Sequence, residues 1–418
     1  MRTSVTTWLL LASAFAFTLA LAGPDVGAAP RSLTVHGGKQ DQTNVVVRVP
    51  LDTATPAGTV SVTLPDGRKI PGQITGPSLL ETAAKGELWF VLPELKAGAK
   101  VALQVTDAKS PSDGSEFAWS DTGKHAELAF ANRPVMRYMY EALDKSTPER
   151  IGETYKVYHH VYDPRGKRFV TKGPGGKFPH HRGLFFGFNR ISYGDGKRAD
   201  IWHCRSGESQ AHNAFVATET GPVLGRHRLE ILWKGQDEKP FANELREMTA
   251  YHVPGGTLIE FSSRLTTLAG PVKLDGDPQH AGFQFRASQH VPDKTAKLTY
   301  YLRPDGKGQP GKFRNWSGKS KAGDGNKEHV NLPWNALSFV IDDQRYTCCY
   351  IDRPQNPKEA RFSERDYGRF GSYFEYQLTE DSPLQLNYRI WLQEGEMTVD
   401  EVNRLSSAFV DAPQTTAK

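Results

Sequence analysis

The chain has 418 residues, 11% of them aromatic, with 52 basic and 47 acidic residues and a formal charge of +5. A chain of that length exceeds one ordinary hydrophobic core, so two domains are expected. Acids are interspersed among the Arg and Lys, and no basic stripe carries interleaved aromatics, which leaves nucleic-acid binding without support.

At the N-terminus, Arg2 precedes an apolar run from Trp8 to Ala22 that ends in Ala20-Leu21-Ala22. A short positive head, a stretch too short to span comfortably and an A-x-A end predict a signal peptide within 1–28, cut after Ala22 or Ala28. Export to the periplasm or beyond follows. No later run reaches the ~18 apolar residues of a spanning helix, so no membrane span is expected.

Residues 30–107 read as a small Ig-like β-sandwich. Its strands are carried by Val45–Val49, Thr59–Leu64, Leu88–Leu92 and Val101–Val105, with Pro65-Asp66-Gly67 as a turn. Residues 108–124, rich in Ser, Asp and Gly, read as a linker. From 125 to 412 short strands recur at frequent turns with almost no helical period, predicting a large antiparallel sandwich. Asn243–Val253 and Thr257–Leu265 flank Pro254-Gly255-Gly256 as a hairpin. One C-terminal helix is expected after the capping box Thr398-Val399-Asp400-Glu401, and the tail beyond Asp411 reads as loose. Cys204, Cys348 and Cys349 make no disulfide framework, and the adjacent pair diverges on a strand.

The most distinctive passage is Phe178-Pro179-His180-His181-Arg182-Gly183-Leu184, after the glycine-rich Gly173-Pro174-Gly175-Gly176. Neighbouring strand side chains diverge, so His180 and His181 share a pocket only if the backbone turns there. Trp202-His203 adds an imidazole beside an indole, within Asp200-Ile201-Trp202-His203. From Asp277-Pro278-Gln279-His280 onward, His280, Gly282, Gln284 and Arg286 share one face of a strand. Ala281, Phe283, Phe285 and Ala287 share the other. A polar face of His, Gln and Arg suits a cleft wall, because imidazoles move protons and guanidinium groups hold oxygens. A solvated strand face would look the same. Arg365-Asp366-Tyr367-Gly368 lies in a late cluster dense in charge and rings. Glu244, Glu247 and Glu260 are the carboxylates open to glycosidic chemistry. A nucleophile elbow, a Walker loop and a zincin helix are absent.

The strings Phe178-Pro179-His180-His181-Arg182-Gly183-Leu184-Phe185, Trp202-His203, Asp277-Pro278-Gln279-His280 and Arg365-Asp366-Tyr367-Gly368 resemble the PmoA-like family of exported bacterial proteins, often labelled methane oxygenase. The chain departs from the family at Asn356-Pro357-Lys358-Glu359, where a His-rich stretch is usual. A true methane oxygenase PmoA subunit crosses the membrane many times, so the label is read as a name and not an activity. The resemblance implies a galactose-mutarotase-like β-supersandwich over 125–412, hence a mainly β protein. By analogy with such folds it also implies a sugar or polysaccharide-derived ligand. His181, His280 and His203 are then the catalytic candidates, with Arg182, Arg286, Arg365, Tyr367 and Trp202 binding substrate. No cofactor is required on this reading. A non-catalytic sugar-binding protein and a metal-dependent oxidative enzyme on His180, His181 and His203 are the rivals.

Overall fold

A computed structural model describes residues 32–81, 83–108, 111, 113–277, 279–314 and 327–417. The signal segment expected within 1–28 lies outside the described residues. The protein is mainly β, built from four antiparallel sheets of seven, eight, four and nine strands.

The N-terminal unit is one seven-stranded sheet curled into a near-barrel around Val35, Val47, Val62, Phe90 and Leu103. Alternating burial along Gln42–Leu51 and Gly58–Thr63 explains the curl, since every second side chain feeds one interior. Its edge is supplied from the far end of the chain. Gln414–Ala417 pairs with Ser32–His36, so the tail expected to be loose is a strand. The edge amides of Ser32–His36 have an obligatory need for partners, and the tail satisfies it. The stretch 108–124 is likewise more than a linker, because Phe117–Asp121 is the outer strand of the eight-stranded sheet.

The eight- and nine-stranded sheets pack face to face as a sandwich. In the eight-stranded sheet the order runs Arg361–Arg365, Arg369–Tyr373, Ala281–Arg286, Leu184–Phe188, Tyr158–Val161, then Arg133–Met139, His125–Phe130 and Phe117–Asp121. The predicted hairpin is present in the nine-stranded sheet, with Tyr251 opposite Leu258 and Ala242 opposite Thr267. Phe283 of one sheet stacks on Phe261 of the other with centroids 4.0 Å apart, and Phe186 meets Trp233 at 5.3 Å. Truncating a ring packed in this way to Ala typically costs about 3–5 kcal/mol.

The N-terminal sheet covers the outer face of the nine-stranded sheet. Gln73 Oε1 accepts from the backbone amides of Val223 (3.1 Å) and Leu224 (2.9 Å), and Leu79 N–H donates to Glu247 Oε1 at 3.1 Å. The C-terminal helix Val399–Val410 carries the predicted capping box and buries Val402 and Phe409. Cys348 lies in the sandwich core and Cys349 in the cluster beneath this helix, and both are free thiols, as is Cys204. Among the described residues no helix is long and apolar enough to cross a membrane.

Candidate functional site

With one sheet covered by the N-terminal unit, the outer face of the eight-stranded sheet receives the distinctive sequence strings. Alternation decides which side chains reach it. On Ala281–Arg286, Ala281, Phe283 and Phe285 enter the sandwich core, and Gln284 and Arg286 turn outward. The predicted two-faced strand is therefore correct, but its polar face is not solvated: Gln284 and Arg286 are both 0% exposed. Loops fold over it.

The first loop is 173–183. Gly183 has φ +48°, and a Cβ there would sit 2.0 Å from the carbonyl oxygen of His159, so only glycine lets the chain cross here. Ahead of it, His181 N–H donates to Phe178 O at 3.0 Å, closing a turn over Pro179 and His180. That turn brings His180 and His181 to the same side, with ring centroids 4.2 Å apart. Phe178 adopts φ +56° at the start of the turn, a conformation that costs a bulky residue strain. Lys172 anchors the loop from below, donating from Nζ to Gly173 O (2.9 Å), Gly175 O and His181 O (3.4 Å). Burial, then the Arg286 and Arg182 charges, push this lysine down to about 7.

Two further loops leave the small four-stranded sheet. Its strands Lys197–Ala199 and Val272–Leu274 both pair with Ile191–Tyr193, and their last residues, Ala199 and Leu274, both face Ile191. Asp200 follows the first strand at once and Asp277 comes three residues after the second, and each has a His three residues further on. His203 Nδ1 lies 2.7 Å from Asp200 Oδ2, and His280 Nδ1 lies 2.9 Å from Asp277 Oδ1. A carboxylate only accepts, so each Nδ1 carries the proton and each Nε2 is the basic atom when the ring is neutral. Asn189 Nδ2 also donates to Asp277 at 2.6 Å. Burial would raise Asp277, but the hydrogen bond and charge of His280, with the Gln279 amide and Asn189, hold it well below the usual carboxylate range.

The three loops converge. Ring centroids of His180 and His203 are 4.5 Å apart, and those of His203 and His280 are 5.0 Å apart. Four imidazoles thus form a chain from His181 to His280. Accessibility is graded along it: the side chain of His280 is 33% exposed, that of His203 12%, and His181 as a residue 2%. Burial and the charges of Lys156, His203 and His280 push His180 down to about 2, and His181 is also held far below its ordinary value by burial, then Arg369. Both are neutral. Among the described residues neither nitrogen of His181 has a hydrogen-bond partner, nor does His180 Nε2.

Behind His181 stands Tyr367, 6.1 Å away and stacked, with Arg286 4.9 Å from the Tyr367 centroid. Arg365 belongs to the same face and donates to Glu364 O at 2.6 Å. The structure thus brings His181, His203, His280, Arg286, Arg365 and Tyr367 together. Two expected ligand contacts are placed differently. Arg182 is 0% exposed and points away, donating to Glu153 O (2.9 Å), Gly152 O and Pro179 O (3.3 Å), with its guanidinium over Tyr155. It satisfies the last carbonyls of the helix Pro148–Thr154, which the sequence reading had missed. Trp202 is fully buried beneath the imidazoles, 5.5 Å from His181, and presents no open face for stacking.

The three glutamates are elsewhere. Glu244 is paired with Arg246 inside the sandwich, while Glu247 and Glu260 lie toward the N-terminal sheet, on Arg228 and Arg389. Sequence reading missed Asp200, Asp277, Arg369 and Lys172. The repeated Asp-x-x-His spacing was the signal available for the first two. Among the described residues no group of three or more His, Cys, Asp or Glu is arranged to hold a metal ion.

A cavity of about 290 Å³ opens on the same face, beside Lys156, Tyr158 and Pro174. Cavities of about 380 and 470 Å³ lie between the N-terminal sheet and the nine-stranded sheet. In the second of these the charges are matched, Arg389 to Glu260 and Arg48 to Glu81, which marks an interface and not a reacting centre.

Comparison with known proteins bears on the family. None of the curated proteins matches the chain. An α-mannosidase from Enterococcus faecalis V583 is similar over 93% of this chain and 46% of its own, with TM-score 0.48 and 9% identity. A glycosyl hydrolase family 38 protein from Enterococcus faecalis gives 93%, 47%, 0.46 and 9%. A GH36 α-galactosidase from Geobacillus stearothermophilus in complex with raffinose gives 70%, 42%, 0.32 and 11%. This chain spans less than half the length of each. The region holding all four site histidines is matched by a family model over residues 125–407, and the chain belongs to that family of unknown function, DUF6807.

Proposed function

We propose that the outer face of the eight-stranded sheet is the site of an exported carbohydrate-active protein that works by general acid/base chemistry on histidine. The observation that carries this reading is the pair of Asp-oriented imidazoles, His203 on Asp200 and His280 on Asp277, 5.0 Å apart. An imidazole whose Nδ1–H is held by a carboxylate has a fixed tautomer, and its imidazolium form is stabilised once Nε2 takes a proton. Two such rings side by side can take a proton at one Nε2 and deliver one from the other. Carboxylate-pair glycoside hydrolysis is disfavoured, because both aspartates in reach are committed to histidines. A hydroxyl-rich ligand suits the surroundings, where aromatic edges from Phe178 and Tyr367 meet fixed cationic donors.

The test is product formation from a panel of neutral and acidic oligosaccharides, followed by chromatography and mass spectrometry. His280→Gln and Asp277→Asn should each lower turnover by about 10²–10⁴-fold. Binding without turnover in the wild type would favour the non-catalytic sugar-binding reading. Neither binding nor turnover with any sugar would overturn the proposal.

A further inference from the structure

Several buried arginines of the fold are paired with carboxylates, and the buried Arg182 is spent on backbone carbonyls. Arg246 meets Glu244 at 2.8 Å, Arg303 meets Glu364 at 2.5 Å, and Arg226 meets Glu219 at 2.5 Å. Arg286 and Arg369, which are 0% and 1% exposed, have no carboxylate partner among the described residues. They stand directly opposite each other on adjacent strands, both on the outer face. Like charges in that position repel, and neither is relieved by solvent.

Their hydrogen bonds are to neutral groups. Arg286 donates from Nη1 to Ala287 O (2.8 Å) and Tyr367 O. Arg369 donates to Gln284 Oε1 (2.9 Å) and Ser363 Oγ (3.0 Å). Among the described residues Arg286 Nε and Nη2 and Arg369 Nε have no partner, nor does either nitrogen of His181 beside them. A face that collects these two buried guanidinium groups, leaves three of their nitrogens unused and pairs neither with a carboxylate among the described residues is short of a bound anion.

We propose that the ligand of this site is an acidic sugar, whose carboxylate is held by Arg286 and Arg369 while its ring lies along the histidines. The inference rests on the carbohydrate reading above and narrows it to uronate-bearing substrates. The carboxylate supplies the missing charge, and its acceptor oxygens match the unused N–H groups bidentately. The depressed pKa of the neighbouring Lys172, lowered by burial and by Arg286, is the expected signature of a positive pocket without its counter-ion. Entry requires the 173–183 loop to lift. Gly175 and Gly176, at φ +79° and +61°, supply the hinge, and Phe178 at the loop tip is exposed.

The experiment is calorimetric and thermal-shift titration of the full mature protein with oligogalacturonate and alginate oligosaccharides, neutral cello- and manno-oligosaccharides, and sodium sulfate and acetate as free anions. Acidic oligosaccharides should bind and neutral ones should not. Arg369→Gln should weaken acidic binding on the order of tenfold to a hundredfold, with an unchanged far-ultraviolet spectrum. Arg286→Lys serves if that variant fails to fold. Neutral sugars binding as well as acidic ones would overturn this inference and leave the carbohydrate reading standing. Free anions protecting while no sugar binds would overturn the sugar assignment of both. No ligand of any arm binding would overturn the anion site outright.

Discussion

At the residue scale the site depends on a few positions with no freedom. Gly183 is one: its φ of +48° and the 2.0 Å approach to His159 O leave no room for a Cβ. Gly183→Ala should therefore destabilise the protein by about 2–4 kcal/mol, read as a lowered denaturant midpoint. Burial also sets a pH dependence. His160 is pushed down to about 3 by burial and Arg137, and His227 to about 3 by burial and His212; His180, His181 and His159 are depressed too. A histidine whose pKa falls on folding binds its proton more readily in the unfolded chain. Its contribution is present above the unfolded value of 6.5 and is lost as pH falls below it. The thermal midpoint should drop from about pH 7 to about pH 5, and the drop should be shallower in His160→Gln. An equal slope in both proteins would contradict the assignment. The repeated Asp-x-x-His spacing was legible in the amino-acid string, but its meaning was not. Only the meeting of Ala199 and Leu274 at Ile191 puts the two dyads side by side.

At the element scale, period-two alternation told which side of Ala281–Arg286 meets the core, and the strand obeys it. Alternation could not tell that the polar side would be roofed over, because the roof comes from loop 173–183, a hundred residues earlier in the chain. Arg182 shows the same limit. Beside two histidines it read as a substrate clamp, yet it serves the C-terminal carbonyls of Pro148–Thr154, a helix too short to leave a periodic trace. Arg182→Ala should lower stability by about 2–4 kcal/mol through three lost charge-assisted hydrogen bonds and the stacking on Tyr155. Arg182→Lys should rescue little, since a single ammonium cannot serve the diverging carbonyls of Gly152, Glu153 and Pro179. Hydrogen exchange of residues 173–183 in the variant should rise with the helix.

At the scale of the whole molecule, the N-terminal near-barrel and the sandwich are joined through both ends of the chain. The tail strand Gln414–Ala417 closes the sheet that begins with Ser32–His36. Local composition could not announce this pairing, since a four-residue polar strand looks like any loose terminus. Truncation after Ala412 should leave the edge of Ser32–His36 unpaired, lowering the unfolding midpoint of the N-terminal unit and promoting association. The covering of the nine-stranded sheet matters for function as well, since it leaves the outer face of the eight-stranded sheet for a ligand. That assignment is most directly tested by a crystal structure of the protein with an acidic oligosaccharide. The account predicts the sugar on the outer face of the eight-stranded sheet, hydrogen-bonded to Nε2 of His203 or His280, with its carboxylate on Arg286 and Arg369. A sugar bound instead between the N-terminal sheet and the nine-stranded sheet, on Arg389 and Glu260, would contradict it.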